Sequence, residues 1–158
     1  MFDVQHLKNL VDATKIYTVV FARPRHVAPM SLYQDPVALE EAIISACDSH
    51  ERENEHIKGY RRCISFNGYF VKFGDYSSLN PARLTQEHLA GLAKADEKAP
   101  HVPEVYHFFH RDKRMGYIVM ENIQVVEVST SDLVAKATEA VLWMRGAPAP
   151  PSVVLGPL

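Results

Sequence analysis

Asn67-Gly68 lies between Cys63-Ile64-Ser65-Phe66 and Tyr69-Phe70-Val71-Lys72-Phe73, two short runs rich in β-branched and aromatic residues. Asn and Gly tolerate positive φ at both central positions of a tight turn, so the stretch predicts a two-residue β-hairpin. A two-stranded hairpin is marginal in water and needs further strands, or a helix laid on its apolar face, before it is stable. The remainder of the chain has to supply them.

It carries signals for both. Asp35-Pro36 reads as an N-cap followed by proline at the first helical position, and Leu39, Ala42, Ile43, Ala46 and Cys47 form an apolar stripe, predicting a helix to about His50. Asn80-Pro81 opens a second helix in the same way, with Leu84, His88, Leu89 and Leu92 on one side and Glu87 beside them. Pro100 and Pro103 keep the chain extended, and Val105 to Phe109 and Met115 to Met120 read as strands joined by the charged run His110-Arg111-Asp112-Lys113-Arg114. A last helix is expected from about Asp132 to Arg145, carrying Leu133, Val134, Ala137, Val141, Leu142 and Met144, with Gly146 as its stop and an extended, proline-rich tail beyond it. Nearer the N-terminus, Phe2 to Ala13 has a helix-like apolar face and Ile16 to Ala22 the composition of a strand. The fold class expected is α+β, an antiparallel sheet with a packed helix.

Bulk properties exclude several functions. A chain of 158 residues, 47% hydrophobic and 23% charged, can bury one moderate core. A net charge of −2 gives no electrostatic footprint for nucleic acid or an anionic membrane. The first residues lack the basic region and apolar run of a signal peptide, and no segment reaches the ~18 apolar residues of a membrane span, so a cytoplasmic protein is expected. Cys47 and Cys63 are then expected as free thiols. His107-x-x-His110 would point to opposite faces of a strand, and His50 with His56 has no completing ligand, so no metal site is expected. No Gly-x-Ser-x-Gly elbow supports a serine nucleophile, and Trp143 reads as a core or lobe-contact residue.

Two features carry chemistry. Lys72 lies on a strand among Phe70, Val71 and Phe73, which would hold its ammonium close to the sheet. A partly desolvated lysine needs a carboxylate to stay charged and aimed, and Glu87, fifteen residues later on the next helix, is the candidate. The plainer reading makes Lys72 the polar member of a strand and Glu87 a solvated helix residue. The second feature is Tyr117 to Met120, an apolar strand broken by Glu121-Asn122-Ile123, where backbone groups become available.

Taken in order, Val71-Lys72-Phe73-Gly74, Glu87, Val102-Pro103-Glu104-Val105-Tyr106, Tyr117-Ile118-Val119-Met120-Glu121 and Leu142-Trp143-Met144-Arg145-Gly146-Ala147-Pro148-Ala149-Pro150 resemble the nucleotide-binding lobe of fungal protein-kinase-like phosphotransferases, close to the aminoglycoside and choline kinase branch. The resemblance covers about residues 50 to 158. It implies a division into an N-terminal helical and strand extension (1–50), a kinase-like N-lobe with its hinge (51–123), and a crossover, first C-lobe-like helix and tail (124–158). It also implies ATP as ligand: Lys72 on the α- and β-phosphates with Glu87 behind it, Met120 lining the back of the pocket, and adenine on the carbonyl of Glu121 and the amide of Ile123.

The sequence departs from the family in having no glycine-rich loop before Lys72, which makes ATP binding weak or lost. It also contains no His-x-Asp-x-x-x-x-Asn segment and no Asp-Phe-Gly metal site, so these residues alone are expected not to transfer phosphate. The expected description is a truncated kinase-like domain. Two alternatives stay open: a non-catalytic protein-binding or oligomerising module derived from that fold, and an unrelated α+β domain.

Overall fold

The computed structural model describes residues 35–123 and 129–149. The segments read above as Phe2 to Ala13 and Ile16 to Ala22 lie outside them. The elements, in order, are α1 (Pro36–Asn54), β1 (Cys63–Phe66), β2 (Tyr69–Asp75), α2 (Tyr76–Ala95), β3 (Val105–Arg111), β4 (Met115–Glu121) and α3 (Thr130–Gly146). The four strands form one sheet in the order β1-β2-β4-β3, with all neighbours antiparallel. The α+β class is as expected.

The β1–β2 hairpin closes through Asn67 at φ 47° and Gly68 at φ 84°, the positive dihedrals that a two-residue turn of this hand requires. Alternation along β2 and β4 then gives the sheet two unlike faces. Tyr69, Val71, Phe73, Tyr117 and Val119 lie under α1, against Leu39, Ile43 and Cys47, with Phe109 of β3 completing this larger core. Phe109 stacks on Tyr117 at 4.8 Å and Phe73 on the same ring at 6.4 Å, so Tyr117 centres an aromatic layer running across three strands. On the other face Leu79 of α2 packs on Ile118 and Met120, with Phe70, Val105 and Phe108 around them.

The helices show where local signals compete with packing. In α1 the side chain of Asp35 accepts a hydrogen bond from the Val37 amide at 2.9 Å, the expected cap with Pro36 in the first turn. Only Leu39, Ile43 and Cys47 of its stripe are buried, and the helix continues to Asn54 because His50 is engaged by the Arg61 carbonyl at 3.1 Å and by Asn54. The helix therefore runs unbroken through position 50. In α2 the start lies at Tyr76, ahead of Asn80-Pro81, and Pro81 sits inside the helix. Tyr76 stacks on Phe108 at 5.8 Å and Leu79 is buried, contacts that recruit an extra turn despite the donor that Pro81 lacks. The buried side of α2 is Leu79 and Ala90, whereas Leu84 is exposed.

α3 is capped by Ser129, whose hydroxyl accepts from the Asp132 amide at 3.2 Å and donates to the Asp132 carboxylate at 2.7 Å. Gly146 is its last residue, and Ala147 takes the extended turn out of it. No residue of α3 is buried.

Candidate functional site

Val71 and Phe73 are committed to the α1 core, so Lys72 between them faces the α2 side of the sheet, flanked by Cys63 on β1 and Ile118 on β4. Its side chain is exposed. Met120 is on the same side, one register step from Lys72: Phe70 pairs with Met120, and Lys72 with Ile118. Beyond Met120 the chain leaves the sheet at Glu121, and Asn122 and Ile123 are half-buried outside it. Lys72, Met120 and the Glu121–Ile123 segment thus border one strip of sheet beside α2, exposed at Lys72 and buried at Ile118 and Met120.

Glu87 is also on the α2 side, but the expected ion pair with Lys72 does not form. Both carboxylate oxygens of Glu87 accept from the nearest amino group of Arg83, at 2.8 and 2.9 Å, one helical turn back. Arg83 in turn donates to Asn80 at 3.1 Å and lies with its guanidinium 4.8 Å above the Phe108 ring. These partners draw Glu87 toward β3. Lys72 is on β2, two strand spacings or ~10 Å across the sheet, with β4 between. A carboxylate four residues from an arginine on one helix face has the nearer partner. Among the described residues no carboxylate is within ion-pair distance of Lys72. Burial pushes the neighbouring Cys63 thiol up, with Arg61 and Lys72 opposing it.

A groove of about 460 Å³ runs between α2 and β3, lined by Tyr76, Asn80, Arg83, Glu87, Phe108 and His110 among others. It is separate from that strip: of the expected site residues it includes Glu87, and not Lys72, Met120, Glu121 or Ile123. Arg83 and Glu87, which line it, already pair with each other.

Glu121 is placed differently from a solvated strand end. Its carboxylate is 4% exposed and lies 2.9 Å from Nε2 of His101, with the Glu104 amide donating to it at 3.4 Å. Its own amide donates to the Glu104 carbonyl at 2.9 Å. By strand parity the side chain belongs to the Tyr69 side of the sheet, away from Lys72, while its main chain borders the strip. The partnership with His101 was not legible in the sequence, because His101 sits on an irregular segment with no periodicity to aim it. The amide of Ile123 makes no hydrogen bond to the described residues.

The histidines are structural in the same sense. His107 reaches Glu40 of α1 at 2.7 Å, and His110 packs edge-on to Tyr76 at 5.2 Å on the opposite face. Among the described residues no group of three or more His, Cys, Asp or Glu side chains is placed to hold a metal ion. None of the described helices is long and apolar enough to cross a membrane. Comparison of the chain with family models, with curated proteins and with solved structures finds no match.

Proposed function

We propose that the sheet and α2 form the nucleotide-binding lobe of a kinase-like phosphotransferase, binding ATP weakly and transferring no phosphate through residues 1–158 alone. The observation that carries this reading is the joint placement of Lys72 and Met120 on the α2 side of adjacent strands, at the point where Glu121–Ile123 leaves the sheet. A triphosphate laid along that strip would bring its oxygens to the Lys72 ammonium and its base to the backbone of Glu121–Ile123, over the Met120 side chain. The insertion of α2 between β2 and β3, in a sheet ordered β1-β2-β4-β3, supports the same reading.

The arrangement of Glu87 defines what binding would have to change. Among the described residues Lys72 has no carboxylate partner, so its charge is available to phosphate, while Glu87 would have to exchange Arg83 for Lys72 to support it. Transfer needs, in addition, an aspartate to orient the acceptor hydroxyl and ligands for a charge-neutralising metal, and the sequence contains no His-x-Asp-x-x-x-x-Asn segment. The two unpaired cysteines support a cytoplasmic setting, where thiols stay reduced.

Calorimetric titration of the 158-residue chain with ATP, with and without Mg²⁺, tests the proposal. Binding is expected, weakened about tenfold or more by Lys72→Met, since one charge-assisted contact is lost. Lys72 is exposed, with no ion-pair partner among the described residues, so the variant should keep the wild-type melting temperature. No heat at millimolar ATP, or equal affinity in Lys72→Met, would remove the nucleotide reading. Sustained ATP turnover abolished by Lys72→Met would remove the claim of inactivity.

A second reading, a non-catalytic module that binds protein, is favoured by one observation: α3 exposes Val134, Val141, Leu142 and Met144.

A further inference from the structure

We infer that Arg61 is a second phosphate-binding cation beside Lys72, and that the pair takes the far end of a nucleoside triphosphate in place of a glycine-rich loop. The inference rests on the nucleotide reading above and adds to it a residue that selects for the outermost phosphate.

The two cations share one margin of the sheet. Cys63 on β1 pairs directly with Lys72 on β2, and Arg61 comes two residues before Cys63, a diagonal step from Lys72 of ~7–8 Å that long side chains bridge. The backbone of Arg61 is held in place. Its carbonyl accepts from the Cys63 amide at 2.9 Å and from Nε2 of His50 on α1 at 3.1 Å. The Phe73 amide donates to the neighbouring Arg62 carbonyl at 2.9 Å, which carries the β1–β2 ladder one residue past Cys63. Between the two cations, the Cys63 thiol feels both charges, Arg61 ahead of Lys72, each opposing the rise that burial imposes.

Both side chains are left to a ligand. Arg62, next in the chain, is bound to Glu51 of α1 at 2.6 Å, whereas neither Arg61 nor Lys72 has a carboxylate within ion-pair distance among the described residues. Both are exposed, at the β1 side of the strip, while α2 packs on β4, β2 and β3.

A phosphate chain lying on paired strands finds few free amides, and the sequence has no glycine-rich loop to supply them, so its charge has to be met by side chains. Arginine offers a planar fork to two phosphate oxygens, and lysine a compact point charge. The register sets their order. Tyr69 lies opposite Glu121 and Lys72 opposite Ile118, and Arg61 is farther still from Glu121–Ile123. A nucleotide with its base on Glu121–Ile123 therefore meets Lys72 with its inner phosphates and Arg61 with the last one.

Calorimetric titration of the 158-residue chain with ATP, ADP and inorganic tripolyphosphate tests the assignment. Arg61→Gln should weaken ATP about tenfold and leave ADP unchanged, whereas Lys72→Met should weaken both. Arg61 is exposed, so circular dichroism and melting temperature should match wild type. A second readout needs no nucleotide. At neutral pH Arg61→Gln should slow alkylation of Cys63 by iodoacetamide, because losing the cation lets burial raise the thiol further, while the fully buried Cys47 stays silent. ATP affinity unchanged in Arg61→Gln, or equal losses for ATP and ADP, overturns the inference and leaves the nucleotide reading standing, and an unchanged Cys63 rate also overturns it. Tripolyphosphate bound as tightly as ATP, and weakened by Arg61→Gln, keeps the two-cation site and removes the base contacts. No binding of either anion removes both.

Discussion

The carboxylate of Glu121 lies 2.9 Å from Nε2 of His101 and is 4% exposed, so a loop histidine partners a buried carboxylate at the end of β4. Replacing His101 by alanine leaves that carboxylate with the Glu104 amide at 3.4 Å as its remaining side-chain hydrogen bond among the described residues. Loss of about 1–3 kcal/mol is expected, the cost of a buried polar group deprived of a partner. Urea unfolding of His101→Ala reads it as a lowered midpoint with an unchanged slope. A midpoint equal to wild type would mean that water serves the carboxylate as well as the imidazole does.

Tyr117 presents the opposite case. Its ring is fully buried at the centre of the aromatic layer, and its hydroxyl has no hydrogen-bond partner among the described residues. Tyr117→Phe keeps the stacking and deletes an unsatisfied oxygen, so the variant should be as stable as wild type or up to ~1 kcal/mol more stable. A lowered melting temperature would show that the hydroxyl is bonded in solution.

Trp143 is the sole tryptophan, and its fluorescence reports directly on its contact with Asp96. The indole N–H, and after it the Lys98 amide, hold the Asp96 carboxyl below the usual carboxylate range. Because the folded-state value is depressed, the contact is complete above the ordinary aspartate range and is lost only as pH falls through the lowered value. An acid transition in tryptophan emission is expected below that range. Asp96→Asn should erase it.

The Cys47 thiol is pushed up to about 12, first by burial and then by the nearby Asp48 and Glu51 carboxylates. It should resist an aromatic disulfide reagent at neutral pH and react at the rate of global unfolding. Cys63 is half-buried and its thiol is raised less far, so it should label first. Early labelling of Cys47 would place an opening of α1 below the global transition.

The parts of this fold that were legible in the sequence are those decided within a few residues. Asn67-Gly68 specified its turn, and Asp35-Pro36 its cap, because the backbone demands act on the residues themselves. The start of α2 was misread at Asn80-Pro81 because Tyr76 is recruited by Phe108, a ring 32 positions away. The stripe on α1 overcounted for a related reason: Ala42 is exposed, and which flank of an amphipathic helix is covered depends on the width of the surface beneath it. The candidate site follows the same division. Lys72 and Met120 share a side of the sheet through the β2–β4 register, which pairs Phe70 with Met120 and Lys72 with Ile118 and which neither strand carries by itself. The partner of Glu87 could not be read, because Arg83, Asn80 and Phe108 meet only after β3 has docked.

The strand order carries a consequence for how the chain reaches this structure. β1–β2 and β3–β4 are each local hairpins, and the sheet is completed where β2 meets β4 from Tyr69–Glu121 to Asp75–Met115. That seam joins positions 40 to 52 residues apart and cannot close until α2 has spanned the gap. Folding is then the zipping of two preformed ribbons side by side, and β4, trapped in the middle, should hold its amide protons longest against exchange with solvent.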